Sequence, residues 1–326
     1  MFSSVSRVVA LAICGLALSD ASALAHCFVG ARFFPATLAI DDPCVADELS
    51  IPTVAWSRTS DQPSAQQLDV SGEFSKRITE TFGVSISPTW TRLSQPGSPS
   101  VSGFQDLETT FKWQFLSVPN AEFVMSTALV IDWGGTGANS VGADTFTTYT
   151  PTFYMGKGFG TLPDDMGWAR PFGFTAQVGY AIPSSSSTMS VDDSGNVRVT
   201  PNPRFLTYGF SLQYSMPYLK SNVVDLQLPD IVNHLIPIVE ARLQTPVSNS
   251  FGTGIGTSGT INPGVIWVGD YFQVGLEAMI PINHASGSGT GVIGQLHLYL
   301  DDMFPTTIGQ PLIGGVTNPR RPMFGN

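Results

Sequence analysis

The chain has 326 residues, of which 12% are charged, 42% hydrophobic and 11% aromatic. Soluble domains carry about 25% charged residues, so half that share argues against an ordinary soluble enzyme, and the aromatic content argues against disorder. A formal net charge of −10 argues against nucleic-acid binding, which needs a basic footprint.

Arg7 precedes an apolar run from Val8 to Leu18, and the small-residue motif Ala23-Leu24-Ala25 follows. This is the layout of a cleaved secretion signal over 1–25, with cleavage expected after Ala25 and Ala23 as the alternative. The run is about 11 residues, too short to cross a bilayer as a helix. A lipoprotein site would put a small residue before Cys27, and His26 stands there. Cys14 leaves with the signal, so Cys27 and Cys44 remain as an even pair suited to an oxidising compartment. They are expected to form a disulfide whose loop closure contributes on the order of 3 kcal/mol; two unpaired thiols are the alternative. Residues 26–50 form an apolar, aromatic leader that is not strand-like, expected in the periplasm either as a plug of the lumen or as a mobile segment.

From residue 51 onward, alternation recurs in segments of about ten residues. Leu107, Thr109, Phe111, Trp113 and Phe115 share one face, and Asp106, Glu108, Thr110, Lys112 and Gln114 the other. Phe123, Met125, Leu129, Ile131 and Trp133 oppose Glu122, Ser126 and Asp132. The pattern returns around Phe172–Ile182, Leu206–Met216 and Phe272–Ile280. Side chains alternate across a strand, so each segment has one greasy and one polar face. Twelve strands are predicted, at 51–58, 67–77, 82–93, 105–117, 121–133, 146–157, 168–182, 204–216, 234–245, 259–268, 271–282 and 290–301.

A soluble sandwich would bury the apolar face; a transmembrane barrel turns it to lipid and keeps the polar face in its lumen. The polar faces hold Gly, Ser, Thr and Gln with scattered charges of both signs, which suits a wet lumen. The connectors alternate as well. Those at 59–66, 94–104, 134–145, 183–203, 246–258 and 283–289 are rich in Ser, Gly, Asn and Pro, while Ser117-Val118-Pro119-Asn120 and Gly269-Asp270 are tight turns. Bacterial barrels keep short turns in the periplasm and long loops outside. One periplasmic connector, 217–233, breaks the rule and predicts a short helix or cap around Leu228-Pro229-Asp230-Ile231-Val232. Trp56, Trp90 and Trp133 then fall near outer strand ends, and Trp168, Trp267 and Trp113 on the periplasmic half, as interfacial girdles require. Pro88, Pro151, Pro237 and Pro263 lie inside predicted strands, where each costs a ladder bond unless it meets a bulge or strand end.

Catalytic signals are thin. Gly156-Lys157-Gly158-Phe159-Gly160 lacks the phosphate-loop spacing and reads as a turn. None of the four His sits at metal spacing with another, and no cofactor or metal is expected. Asp41-Asp42 and Asp301-Asp302 read as solvated carboxylates in turns ahead of cation sites. The expected lumen-facing residues are Asp69, Glu73, Arg77, Asp106, Glu108, Lys112, Glu122, Asp132, Glu240, Arg242, Glu277 and His297. Their excess of acid favours cations or polar neutral solutes; mutually neutralised packing inside a narrow barrel is the alternative. Substituting Glu108 or Glu122 is expected to shift ion selectivity.

The leader His26-Cys27-Phe28-Val29-Gly30-Ala31-Arg32-Phe33-Phe34-Pro35-Ala36-Thr37-Leu38-Ala39-Ile40-Asp41-Asp42-Pro43 and the segment Gly156-Lys157-Gly158-Phe159-Gly160-Thr161-Leu162-Pro163 resemble a family of proteobacterial outer-membrane transporters named for the meta-pathway of phenol degradation. The resemblance implies an outer-membrane barrel moving small, including aromatic, compounds, and assigns no site residues. The chain departs from a common barrel ending in having a tail beyond its last strand in place of a terminal Phe.

The reading is an all-β, closed antiparallel transmembrane β-barrel of about 12 strands over 51–301, between the leader and a periplasmic tail at 302–326. The expected location is the bacterial outer membrane, with outer-membrane lipid and a small-molecule solute as partners. The expected function is a channel or transporter, not an enzyme. The alternative is a structural or adaptor barrel that binds an envelope partner; a lipid-modifying barrel and a soluble sandwich rank behind.

Overall fold

The computed structural model describes residues 26–60, 63–191, 195–250 and 256–314. The expected signal, its cleavage site and the last twelve residues of the tail lie outside the described residues. Twelve antiparallel strands close into a barrel. They are β1 (Glu48–Arg58), β2 (Gln66–Arg77), β3 (Phe82–Ser87 and Thr89–Ser94), β4 (Val101–Phe104 and Leu107–Val118), β5 (Phe123–Trp133) and β6 (Thr148–Gly158). They continue as β7 (Phe172–Pro183), β8 (Arg204–Tyr214), β9 (Leu235–Ser248), β10 (Ser258–Val268), β11 (Phe272–Pro281) and β12 (Gly291–Tyr299). Each pairs with its neighbours in the chain, and β12 pairs back onto β1 with Val292 opposite Trp56, so the barrel sheet is closed on itself.

The alternating segments form strands because one face meets the interior and the other the surroundings. Trp113 is 52% exposed, Leu276 56% and Phe104 58%, and they belong to an apolar belt around the outside that includes Phe111, Leu129, Phe210, Leu212, Val274 and Ile280. Charged residues that take outward positions, Arg58, Arg92, Lys157 and Arg204 among them, lie at or within three residues of a strand end. An exterior of this kind has no counterpart on a soluble monomer, whose contiguous apolar patches stay within a few hundred Å². Among the described residues no helix is long and apolar enough to cross a membrane.

Several local expectations are corrected. The leader does contain strand, a small hairpin pairing Phe28–Val29 with Arg32–Phe33. Residues 168–171 are not part of β7; a 3-10 helix, Asp164–Ala169, occupies that connector, so two long connectors and not one lie at the end where the leader enters. Gly156 to Gly158 close β6, and the turn begins only at Phe159. Glu122 stands in the left-handed region (φ 47°) at the turn before β5 and is not a strand residue. The 183–203 connector carries its own hairpin, Ser187–Val191 with Val197–Pro201. The long 217–233 connector does hold helix, Met216–Asn222 and Asp230–Asn233.

The prolines sit where the ladders lapse. Pro88 splits β3 into its two halves. Pro151 pairs with Leu129, but on its other side the β6–β7 register jumps from Tyr149 to Thr152. Pro263 pairs with Val239, while the β10–β11 register skips from Ile261 to Gly264. Pro237 lies one residue beyond the last β8–β9 pair, Gln213 with Ile238. A missing N–H costs little where no partner carbonyl is in register.

The interior is not uniformly polar. Toward the leader end an apolar cluster forms among the inward side chains, where Phe33 and Leu38 pack against Ile236, Ile238, Ile266, Val268, Ile293 and Tyr299. A second cluster joins Cys27, Val29, Phe34 and Cys44 to Val124. Both consist of leader side chains buried on the barrel wall.

Candidate functional site: a plugged lumen and an acidic chamber

The leader enters the barrel, turns within it and returns to start β1. Cys27 and Cys44 are joined by a disulfide, with Cα atoms 5.4 Å apart. Alkylation of the denatured, processed protein is expected to label no cysteine without reductant and two after reduction. Labelling of two thiols without reductant would remove the crosslink.

Wall side chains satisfy the backbone of the inserted segment. The Glu240 carboxylate accepts the N–H groups of Leu38 (2.9 Å), Ala39 (2.8 Å) and Ile40 (3.4 Å). Gln177 accepts from Asp41 N–H at 3.0 Å, and Gln273 Nε2 donates to the Ala36 carbonyl at 2.5 Å. Ser126 donates to the Pro43 carbonyl. Lys112 pairs with Asp41 at 2.6 Å, donates to the Asp42 carbonyl and lies 5.0 Å from the Tyr154 ring centre. Wall glycines admit the leader closely: a Cβ on Gly275 or Gly209 would stand 2.5 Å from Leu38 or Ile40. A loop buried this fully is tolerated because its polar groups find partners.

Glu122 is the hub of a second clamp. Arg32, with no exposed surface, reaches its Oε2 at 3.3 Å and donates to the Pro171 carbonyl at 2.9 Å. Gly160 N–H donates to the same carboxylate at 3.0 Å, and Tyr218 O–H donates to Oε1 at 2.8 Å. The Arg32 guanidinium lies 3.9 Å from the Tyr218 ring centre. Burial, then the Glu122 carboxylate, push the Tyr218 phenol up to about 12, so it keeps the proton it donates.

A third network closes the base. Asp47 takes Lys76 Nζ at 2.7 Å and Arg77 Nε at 2.8 Å. Arg77 also donates to the Gly309 carbonyl at 2.9 Å.

Above the leader lies a chamber of about 780 Å³, floored by Ala36 to Asp42 and walled by residues of β1–β10 and β12. Of the residues expected in the lumen, Glu73, Asp106, Glu108, Asp132, Arg242 and His297 line it. Glu108 and Asp132 face each other across β4–β5, and Arg242 lies within electrostatic reach of both. Asp106 sits in the break of β4 and caps the 134–144 loop, accepting from Gly137 N–H (3.0 Å) and Asp144 N–H (2.6 Å). His297 bonds Ser50 through Nδ1 at 2.7 Å and faces Glu48 at 3.4 Å. The other six stand elsewhere. Arg77, Lys112, Glu122 and Glu240 hold the leader or its base. Asp69 is tied to Thr91 at 2.6 Å and Gln67 at 2.8 Å. Glu277 is buried beside Glu240. A narrow cleft of about 30 Å³ shares Asp41, Asp42, Glu48, Glu73 and Thr110 with the chamber and passes Lys112, Ser85 and Lys76 toward the leader end.

Sequence reasoning placed Glu240 and Glu122 inside the barrel but missed that they grip the leader. The signal was present on β9: Glu240 is an inward acid directly above two inward isoleucines, Ile236 and Ile238, and the strand's inward base, Arg242, lies on its other side, toward the chamber. Such an acid needs donors from another segment.

No protein-family model and no curated protein sequence matches the chain. Solved barrels resemble it in outline. An outer membrane channel from Pseudomonas putida F1 is 11% identical, with 82% of this chain and 99% of that chain covered and a TM-score of 0.48. The NanC porin is 7% identical over 76% of this chain and 98% of its own, with a TM-score of 0.44. The beta domain of the Bordetella autotransporter BrkA is 11% identical over 78% and 99%, also with a TM-score of 0.44.

Proposed function

We propose that this barrel spans the bacterial outer membrane and passes small solutes, with the leader as its gate and the acidic chamber as its selectivity site. The outward apolar belt supports the membrane placement. The observation that carries the transport reading is the chamber itself: a polar cavity of about 780 Å³ standing on a plug that hydrogen bonds and packing, with no crosslink to the wall, hold in place ahead of β1. A barrel with only a structural role would have no need of such a space. The lining acids, Asp42 and Asp106 as well as Asp41, Glu48, Glu73, Glu108 and Asp132, outnumber Arg242, which favours cationic or polar neutral solutes. The resemblance to phenol-pathway transporters adds small aromatic compounds to that class.

Heat-modifiable migration in detergent gels tests the barrel, and flux in liposomes tests the transport. Exchanging both Glu108 and Asp132 for their amides is expected to shift the reversal potential in a salt gradient toward anions. Glu122→Ala, by contrast, is expected to act on gating, since Glu122 contacts the leader and not the chamber. A reconstituted protein that neither conducts nor transports, even after the leader is loosened, overturns the transport reading.

A further inference from the structure

Where the leader begins, three ligating side chains from opposite ends of the chain meet. His26 is 6% exposed, Asp301 3% and Asp302 7%, and one donor atom from each lies within 4.8 Å of the others. Asp301 and Asp302 belong to the short helix Leu300–Met303 that follows β12. His26 Nδ1 stands 3.6 Å from Asp301 Oδ1 and in contact with Asp302 Oδ2.

The cluster is organised beyond what a chance ion pair requires. The His26 ring stacks on Tyr299 at 4.4 Å and 18°, with Phe33 edge-on at 5.7 Å, which fixes the direction of Nδ1. Asp301 is held through its backbone, since the N–H groups of Leu300 and Asp301 donate to the Asp47 carbonyl at 2.9 and 3.3 Å. Asp301 Oδ2 accepts the His26 main-chain N–H at 2.7 Å. Oδ1 of the same carboxylate is buried, makes no hydrogen bond and is aimed into the cluster. Arg77 approaches Asp301 only to 4.0 Å and spends its donors on Asp47 and Gly309.

We propose that His26, Asp301 and Asp302 bind a divalent transition-metal ion of the zinc class, clipping the start of the leader to the segment that follows the last barrel strand. One imidazole nitrogen and two carboxylate oxygens are a donor set for a borderline cation, and three protein ligands leave a fourth position open. In a chain processed after Ala25, the His26 main-chain nitrogen becomes an amine. That amine and Nδ1 of the same residue close a six-membered chelate ring on the ion, filling the fourth position from the protein. The neighbouring Asp47, held by Lys76 and Arg77, then serves as the outer support of Asp301.

The test uses the tag-free mature protein in detergent, stripped with chelator and titrated calorimetrically with zinc chloride. One zinc ion per chain is expected, with only nitrogen and oxygen in its first shell by X-ray absorption. His26→Gln and Asp302→Asn are each expected to weaken binding by more than about tenfold while the heat-modifiable gel shift is kept. No zinc uptake by the wild type would leave the cluster an ion pair and overturn the proposal. Binding that His26→Gln leaves unchanged overturns it too. Should either variant fail to fold, the wild-type spectrum decides, since a sulfur-containing or all-oxygen shell contradicts these ligands.

Discussion

Glu240→Ala is expected to turn a mostly closed barrel into one that opens often. The substitution removes the acceptor for three leader N–H groups and leaves those donors without it inside the barrel. A hydrogen bond to a charged group contributes about 1.5–3 kcal/mol net, so losing even one of the three shifts the seated state by about tenfold or more. Open events in planar bilayers should become at least about ten times more frequent, by the same conversion of free energy to populations. Glu240→Gln keeps an oxygen acceptor and should have a smaller effect. If Glu240→Ala conducts no more often than the wild type while its barrel remains folded, the leader is not the gate.

Arg32→Ala is expected to release the other side of the leader. The arginine is fully buried against Glu122, the Pro171 carbonyl and the Tyr218 ring. Removing one member of a buried pair leaves an uncompensated charge and costs about 3–5 kcal/mol. Protease added to detergent-solubilised protein should then cut between residues 28 and 43, whereas the wild type, with these residues mostly buried, should resist. Adding Glu122→Gln should recover part of the loss, because the carboxylate that Arg32 neutralised is gone; full additivity would mean that the two side chains act independently.

The barrel was legible from residue order because a strand converts the lipid–lumen boundary into a period of two, as in Phe111, Trp113 and Phe115 against Thr110, Lys112 and Gln114. That periodicity says which wall a side chain faces and nothing about what occupies the middle. Leader residues such as Leu38 and Ile40 carry no period, since they meet walls on several sides at once. Their partners lie far along the chain, 201 residues away for Ala39 and Glu240, and spacing along a chain does not encode such distances. The inward isoleucines of β9 were the one local clue, because a wholly wet lumen would have no use for them. The β7 start was misplaced for a different reason: Met166 to Arg170 can be read in either period, and the 3-10 turn wins through Arg170, which bonds the Leu162 carbonyl at 2.7 Å.

The inserted leader goes up into the barrel and comes back down, with its two limbs crosslinked between Cys27 and Cys44 near the mouth. It is therefore a lasso whose knot sits at the entrance and whose tip, Ala36 to Asp42, reaches mid-depth. A lasso can be withdrawn and reinserted without threading a chain terminus through the pore, and its crosslink keeps the two limbs moving as one body. Gating by such a piston would be repeatable, and β1, anchored to β2 and β12, could keep its place in the wall throughout.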